Sequence, residues 1–258
     1  MSTPRLLLVP EFTEIEWDVI RPHLEEWAEV ASYDPPGVGD EPLPEGDPES
    51  FGPELFAQRG VDELESRGWD RFFVVADGWG IASAVRIARE RREDLQGIAL
   101  GHARLSHRTE GERPPVNGEV LAALTQLISQ DYDAFVRYGI AQATQGLISE
   151  ELAQRMIERF PRELMALGWQ RITTDDTPIE DLLREIDRPL LLAKHEGCLI
   201  STAEGFEDAA TAFPKARTFS SPNGATTDPA FADALRRFCE EVLEAVPRQD
   251  EARRADGS

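Results

Sequence analysis

Four titratable residues in this sequence lie just beyond short apolar runs: Glu11, Asp77, His102 and His195. Carboxylates and imidazoles brought together in a dry pocket are the groups that general acid–base catalysis uses. Ligands of open α/β sheets bind outside the carboxyl ends of the strands. If the apolar runs are strands of one sheet, these side chains meet there. We therefore predict that Asp77, His102 and His195 form an acid–base site, with Glu11 beside it.

Each of the three predicted catalytic residues also has an ordinary structural interpretation. Asp77 could cap the helix that follows it, His102 could hydrogen-bond a loop carbonyl, and His195 could lie at the solvent rim. The sequence leaves these alternatives open.

The elements that must position these residues alternate between strand and helix patterns. This alternation is typical of a mostly parallel sheet covered by helices on both faces. The predicted strands are 5–9, 28–33, 71–76, 96–101, 189–194 and 216–220, and the predicted helices are 16–26, 54–67, 79–92, 202–212 and 229–245. The fold class is therefore α/β.

A long helical insertion separates two of the predicted strands. Almost ninety residues lie between Leu100 and Pro189, and they carry apolar stripes at helical spacing, such as Leu124 with Ile128 and Leu152 with Met156. We predict a helical cap over 102–188, a core formed by 1–101 and 189–246, and a disordered tail over 247–258. Most of the apolar residues of the insertion are expected to pack the cap itself.

Composition narrows the choice of partners and compartment. The chain has 258 residues, 41% of them hydrophobic, and a formal net charge of −22. Phosphate binding needs clustered Lys and Arg, so we expect neither nucleic acid nor a membrane surface as a partner; a protein partner stays possible. No run approaches the roughly 18 apolar residues that span a bilayer, and two cysteines give no disulfide framework. We expect a cytoplasmic protein.

The motifs of metal and phosphate sites are missing from the sequence. There is no H-E-x-x-H and no C-x-x-C, and a G-x-G-x-x-G match that starts at Gly78 fails at Ser83. We expect neither a metal nor a cofactor.

The segment Ala76-Asp77-Gly78-Trp79-Gly80 follows a buried strand and precedes a helix. That is the setting of the G-x-S-x-G nucleophile elbow, but glycine stands at its centre. Further pieces are Leu6–Val9 leading into Pro10-Glu11, the turn Asp34–Asp40, the strand Pro189–Ala193 and the approach Phe213–Arg217. In order and spacing they resemble the α/β-hydrolase superfamily over nearly the whole chain, which implies its fold, with an insertion that roofs the pocket.

The resemblance also implies where a catalytic triad would lie, and each position is vacant. The nucleophile falls on Gly78, the acid near Gly197 and the histidine near Ala225. The four histidines are His23, His102, His107 and His195, so none follows residue 195. Hydrolysis by the usual route needs a nucleophile, a base and a group that orients the base. The backbone N–H of Trp79 could persist as an oxyanion donor without that chemistry.

The sequence supports two functions from different classes. The first is a protein that binds a mostly apolar small organic molecule under the cap and moves protons with Asp77, His102 or His195 in a cyclisation, elimination or isomerisation. The second is a pseudoenzyme that acts as a binding or scaffold protein. A third, less favoured interpretation makes Asp77 itself the nucleophile, as in some relatives with aspartate before Trp-Gly. The predicted ligand-binding residues are Glu11, Phe12, Gly78, Trp79 and Ala225.

Overall fold

Six parallel strands form the central sheet in the order β2-β1-β3-β4-β5-β6. The computed structural model describes residues 3–42, 51–102, 118–144, 149–174, 177–196 and 203–256. The strands are β1 (Arg5–Val9), β2 (Glu29–Ser32), β3 (Phe72–Ala76), β4 (Leu95–Gly101), β5 (Leu190–His195) and β6 (Arg217–Ser221). Every pairing between neighbouring strands is parallel. The predicted fold class is confirmed.

The central strands are apolar because helices cover both of their faces. All five residues of β3 are buried, which is the pattern expected of a strand inside a doubly covered parallel sheet. Register aligns the ends of the strands, since Val9 pairs with Ala76, and Ala76 with Leu100. The residues after β1, β3 and β4 therefore leave the sheet at one edge.

Ten α-helices and two short 3₁₀ turns are seen in the described part of the chain. The helices are α1 (Arg21–Glu25), α2 (Pro53–Ser66), α3 (Ile81–Glu90), α4 (Gly118–Gln130), α5 (Tyr132–Thr144), α6 (Glu150–Arg159), α7 (Arg162–Thr174), α8 (Ile179–Ile186), α9 (Ala203–Ala212) and α10 (Pro229–Asp256), and the 3₁₀ turns are Glu14–Trp17 and Gly78–Gly80. Helices α2, α3, α8 and α9 share one apolar cluster with the sheet. Helices α1 and α10 share the cluster on the other face.

A third apolar cluster joins helices α4 to α7 to loops of the core. The insertion contributes Leu124, Ile128, Phe135, Met156 and Trp169, as its periodicity predicts. The same cluster contains residues from the segments that come after β1 and β2, among them Ile15, Val38 and Phe51. These four helices therefore cover the carboxyl edge of the sheet. Helix α8, included in the predicted cap range, packs against α3 in the core layer.

Two predicted helices differ from the structure. The continuous helix expected over 16–26 is wrong: a 3₁₀ turn ends at Trp17 and α1 begins at Arg21. The side chain of Glu16 folds back onto the preceding loop and accepts from the N–H groups of Glu11 and Phe12. Helix α10 continues to Asp256, where a disordered tail is expected from 247. Residues 248–256 are rich in Arg and Ala, which favour helix.

No helix in the described ranges is both long enough and apolar enough to cross a membrane.

Candidate functional site

Asp77, His102 and His195 form a continuous chain of hydrogen bonds at the carboxyl edge of the sheet. The Oδ1 atom of Asp77 lies 2.5 Å from Nδ1 of His102. The Nε2 atom of His102 lies 2.6 Å from Nδ1 of His195. Asp77 follows β3, His102 follows β4 and His195 ends β5, so three adjacent strands each supply one group. Sequence analysis singled out these three residues, and the structure brings them together.

Local backbone geometry lets the strand ends approach closely. A side chain at Gly101 would start 2.5 Å from Oδ1 of Asp77 and 2.7 Å from Cβ of Ala225, so only glycine fits between them. The next residue, His102, has φ of +49°, in the left-handed region that non-glycine residues rarely adopt. This conformation turns the chain sharply where the imidazole meets Asp77. Strained backbone of this kind is concentrated at functional sites.

The carboxylate of Asp77 is buried and ionised. Burial alone would raise its pKa, but the charge and hydrogen bond of His102, the charge of His195 and the N–H of Gly78 outweigh burial. The net result is a pKa below the ordinary value. Asp77 also accepts a hydrogen bond from the N–H of Gly78 at 3.0 Å. Asp77 therefore caps the turn that follows it, as one alternative had it, and also holds an imidazole.

The three groups are arranged to pass a proton. When Asp77 accepts from Nδ1–H of His102, the Nε2 atom of His102 is an acceptor and His195 must donate through Nδ1–H. The Nε2 atom of His195 then carries a lone pair. A proton taken up there can be relayed across the 2.6 Å bond, and the resulting positive charge rests on His102, next to Asp77. His195 is 6% exposed and so does not lie at the solvent rim.

The turn at Gly78 keeps the geometry of an elbow but has no side chain to present. Gly78 has φ of +47°, and the turn links β3 to α3. A side chain at this position would begin 2.8 Å from Oε2 of Glu11 and 3.0 Å from its Cδ. The carboxylate of Glu11 therefore occupies the space where a nucleophile would stand. Both residues are predicted above to bind ligand, and they lie together here.

The loop after β1 is held by Glu16, which sequence analysis missed. Its carboxyl group accepts from the backbone N–H groups of Glu11 at 2.5 Å, Phe12 at 3.1 Å and Thr13 at 3.5 Å. In α/β-hydrolases a loop at this place supplies an oxyanion donor. In the loop of this protein the N–H of Phe12 already has an internal acceptor, the side chain of Glu16. The signal was present as Thr13-x-x-Glu16, the pattern of a capping box.

Glu16 differs from Asp77 in its protonation. Burial raises its pKa to about 8, the negative charge of Asp77 adds to the rise, and the backbone donors only partly offset it. Glu16 therefore holds a proton across a range in which exposed glutamates are ionised.

Two of the predicted ligand-binding residues, Phe12 and Trp79, lie where core and cap meet. Phe12 packs edge-on against Phe160, with ring centroids 6.2 Å apart. Trp79 packs against Trp169 of α7 at 5.4 Å. Ala225 is buried in the cluster on the α1 and α10 face. Phe12 and Trp79 therefore belong to the packed contact between core and insertion.

Gly197, where the acid of a hydrolase would fall, lies outside the described residues. Within the described ranges, no group of three or more His, Cys, Asp or Glu side chains could hold a metal ion.

Comparison with known proteins supports the architecture. No protein-family model and no curated protein matches this chain. Among solved structures, a hydrolase from Oleispira antarctica matches with a TM-score of 0.75 and 15% identity, over 93% of this chain and 92% of that chain. A bromoperoxidase from Bacillus anthracis matches at 0.76 and 16%, over 93% and 92%. A thermophilic esterase from Thermogutta terrifontis matches at 0.71 and 18%, over 94% and 91%.

These similarities define the class of structure. The protein has the α/β-hydrolase fold. At such low identities the likeness extends to the fold and leaves the chemistry to the residues of the site.

Proposed function

We propose that this protein binds a mostly apolar small organic molecule between core and cap and carries out non-hydrolytic acid–base chemistry on it. The observation that carries the proposal is the chain Asp77–His102–His195, with both contacts at hydrogen-bonding distance. Cyclisation, elimination and isomerisation all need a proton removed from one atom and returned to another. His195 would take the proton at Nε2, and His102 would share the charge under the field of Asp77.

Three observations favour this chemistry over hydrolysis. Gly78 offers no nucleophile at the elbow. The N–H of Phe12 is bonded to Glu16, so it is not poised for a tetrahedral oxyanion. Asp77 is 3% exposed and committed to His102 and to the N–H of Gly78, which favours a role as charge partner over one as an attacking group.

A base without a known substrate can be assayed by isotope exchange. Apolar ketones such as 2-phenylcyclohexanone carry weakly acidic C–H bonds, and a positioned base speeds their exchange with D₂O. We expect the wild-type protein to accelerate deuterium incorporation, followed by proton NMR. His195→Gln should lose this acceleration because the Nε2 base is removed.

The matched control is His23→Gln, since His23 lies exposed on α1, outside the chain of hydrogen bonds. Equal exchange rates for His195→Gln, His23→Gln and wild type would refute the catalytic proposal. A serine-reactive fluorophosphonate should leave the purified protein unlabelled, and labelling of any residue at the site would restore a hydrolase.

One observation favours a second candidate, a binding or scaffold protein without chemistry. The carboxylate of Glu11 fills the space above Gly78 that a reacting group would occupy. On this alternative, apolar ketones would raise the melting temperature of the protein, while wild type and His195→Gln would show the same slow exchange.

A further inference from the structure

The loop after β1, Pro10–Trp17, is held from two sides. Glu16 binds the backbone N–H groups on one side. On the other side stands Asp34, which follows β2 and is 4% exposed. Its Oδ1 atom accepts from Oγ1 of Thr13 at 2.7 Å and from the N–H of Glu14 at 2.9 Å. The position of Glu11 and Phe12 therefore depends on Asp34 as well as on Glu16.

The second oxygen of Asp34 binds the cap. Nε of Arg159, the last residue of α6, donates to Oδ2 of Asp34 at 2.6 Å. The same guanidinium donates from Nη2 to Oε1 of Glu14 at 3.1 Å. One cap side chain thus contacts both the loop and the carboxylate that holds the loop.

Backbone and aromatic contacts surround this ion pair. The carbonyl of Arg159 accepts from the N–H of Gly39 at 2.9 Å. The next residue, Phe160, packs on Phe12 of the loop and on Phe51 of the core. Its carbonyl accepts from the hydroxyl of Tyr132 in α5 at 2.7 Å. The end of α6 is therefore where the cap contacts the loop beside the site.

We propose that Arg159 is a positioning residue: its contacts with Asp34 and Glu14 tie the cap to the loop Pro10–Trp17 and so hold Glu11 and Phe12 in place at the site. Only the effect of Arg159 on catalysis rests on the proposed function. The structural part, the dependence of the loop on the cap through one guanidinium, is independent of any chemistry. Opening the cap would release the outer side of the loop.

Amide hydrogen exchange measures this dependence directly. The N–H groups of Glu11, Phe12 and Thr13 are bonded to Glu16, so they exchange only when the loop opens. In Arg159→Met we expect these amides to exchange roughly tenfold faster or more, with a matching rise in α6, while β3 and β4 stay protected. Arg159→Lys keeps the charge but not the forked geometry, and should restore part of the protection.

Arg155→Met is the matched control. Arg155 lies one turn earlier in the same helix and makes a different ion pair with the core, to Asp18 at 3.1 Å. It should leave the loop amides unchanged. If Arg159→Met proves too unstable, Asp34→Asn tests the same link, because Asn keeps the Oδ1 acceptor for Thr13 and Glu14 while losing the charge.

The outcomes separate the positioning role of Arg159 from the proposed function. Equal exchange in the Arg159 and Arg155 variants, or a uniform rise that includes β3 and β4, would overturn the positioning role. In the ketone assay, a positioning residue predicts a raised KM with kcat less affected. Absence of ketone exchange in wild type would sink the catalytic proposal and leave the amide result to decide the role of Arg159.

Discussion

The two sides of Gly78 are held together by different kinds of hydrogen bond. On the imidazole side, Asp77, His102 and His195 come from the ends of three adjacent strands and bond to one another through their side chains. On the loop side, the N–H groups of Glu11 and Phe12, which follow β1, donate to the carboxyl group of Glu16 in the same loop. The first side is fixed by the sheet, and the second by a local turn and by the cap.

This difference is also electrostatic. Two imidazoles keep the buried carboxylate of Asp77 ionised. For Glu16, by contrast, burial raises the pKa to about 8 and the backbone donors offset that rise only in part. Two buried carboxyl groups thus lie on either side of one turn with opposite protonation at neutral pH. Pairs of titratable groups whose environments separate their pKa values are a common arrangement in acid–base sites.

The largest effect is expected from removing the charge on the imidazole side. Asp77→Asn keeps the shape but cannot stabilise an imidazolium, so ketone exchange should fall by roughly 100-fold or more. The free energy of unfolding near neutral pH should drop by about 1.5–3 kcal/mol, as for other hydrogen bonds to charged groups. Because the pKa of Asp77 is lowered in the folded state, its stabilisation exists above the unfolded pKa and disappears as pH falls through the folded one.

Denaturant unfolding of wild type and Asp77→Asn at several pH values checks this prediction. The two curves should converge in acid. Asp70→Asn is the control, since the side chain of Asp70 is 83% exposed. A constant gap between wild type and Asp77→Asn at all pH values would show that Asp77 is not the charged partner assigned here.

A pH effect of opposite sign is expected on the loop side. The pKa of Glu16 is raised from 4.5 to about 8, so between these values the folded state binds more protons than the unfolded state. Stability contributed by this group therefore falls as pH rises through that window. Glu16→Gln keeps an acceptor for the backbone N–H groups and removes the titration. The free energy of unfolding of Glu16→Gln, relative to that of wild type, should increase as pH rises from roughly 5 to roughly 8.

The control for Glu16 is Glu26→Gln on the exposed surface. It should follow the wild-type pH profile. A Glu16→Gln profile parallel to wild type would mean that Glu16 is ionised in the folded protein and that the two sides of Gly78 do not differ in charge.

The smallest effect concerns the turn that divides the two sides. Gly78→Ala should destabilise the protein by about 1–3 kcal/mol, because it adds backbone strain at positive φ and crowds Glu11. Gly68→Ala isolates the backbone part, since Gly68 has φ of +63° and nothing within 4 Å. In the background of Glu11→Ala, the cost of Gly78→Ala should fall to that of Gly68→Ala. Thermal melts of Gly78→Ala, Gly68→Ala, Glu11→Ala and the double variant measure this difference. Equal losses of stability for Gly78→Ala and Gly68→Ala would show that Glu11 does not crowd residue 78.

The sequence predicts the sheet and the imidazole side for the same reason. Buried parallel strands are continuous apolar runs, and Asp77, His102 and His195 stand where such runs end. The carboxyl ends of strands in a parallel sheet lie at one edge. Approximate strand boundaries are therefore enough to predict that these three residues lie close together. The contact distances, and the left-handed backbone at His102, depend on tertiary packing that periodicity does not encode.

The loop side is harder to predict because its signals are local and compete. Amphipathic spacing places Glu16 in a helix over 16–26, whereas Thr13 and Glu16 form a capping box that ends in a single 3₁₀ turn. The contact of Arg159 with Asp34 joins residues 125 positions apart in sequence. One sequence without an alignment carries no signal for such a pair.

The backbone of His102 has a consequence for how this protein could change. At φ of +49°, glycine or asparagine would fit its peptide with less strain. The same residue supplies the ring that bridges Asp77 and His195. Selection for stability therefore favours glycine or asparagine at residue 102, whereas selection for the hydrogen-bonded chain favours histidine. A substitution that stabilises the protein at this position is expected to break the link between Asp77 and His195.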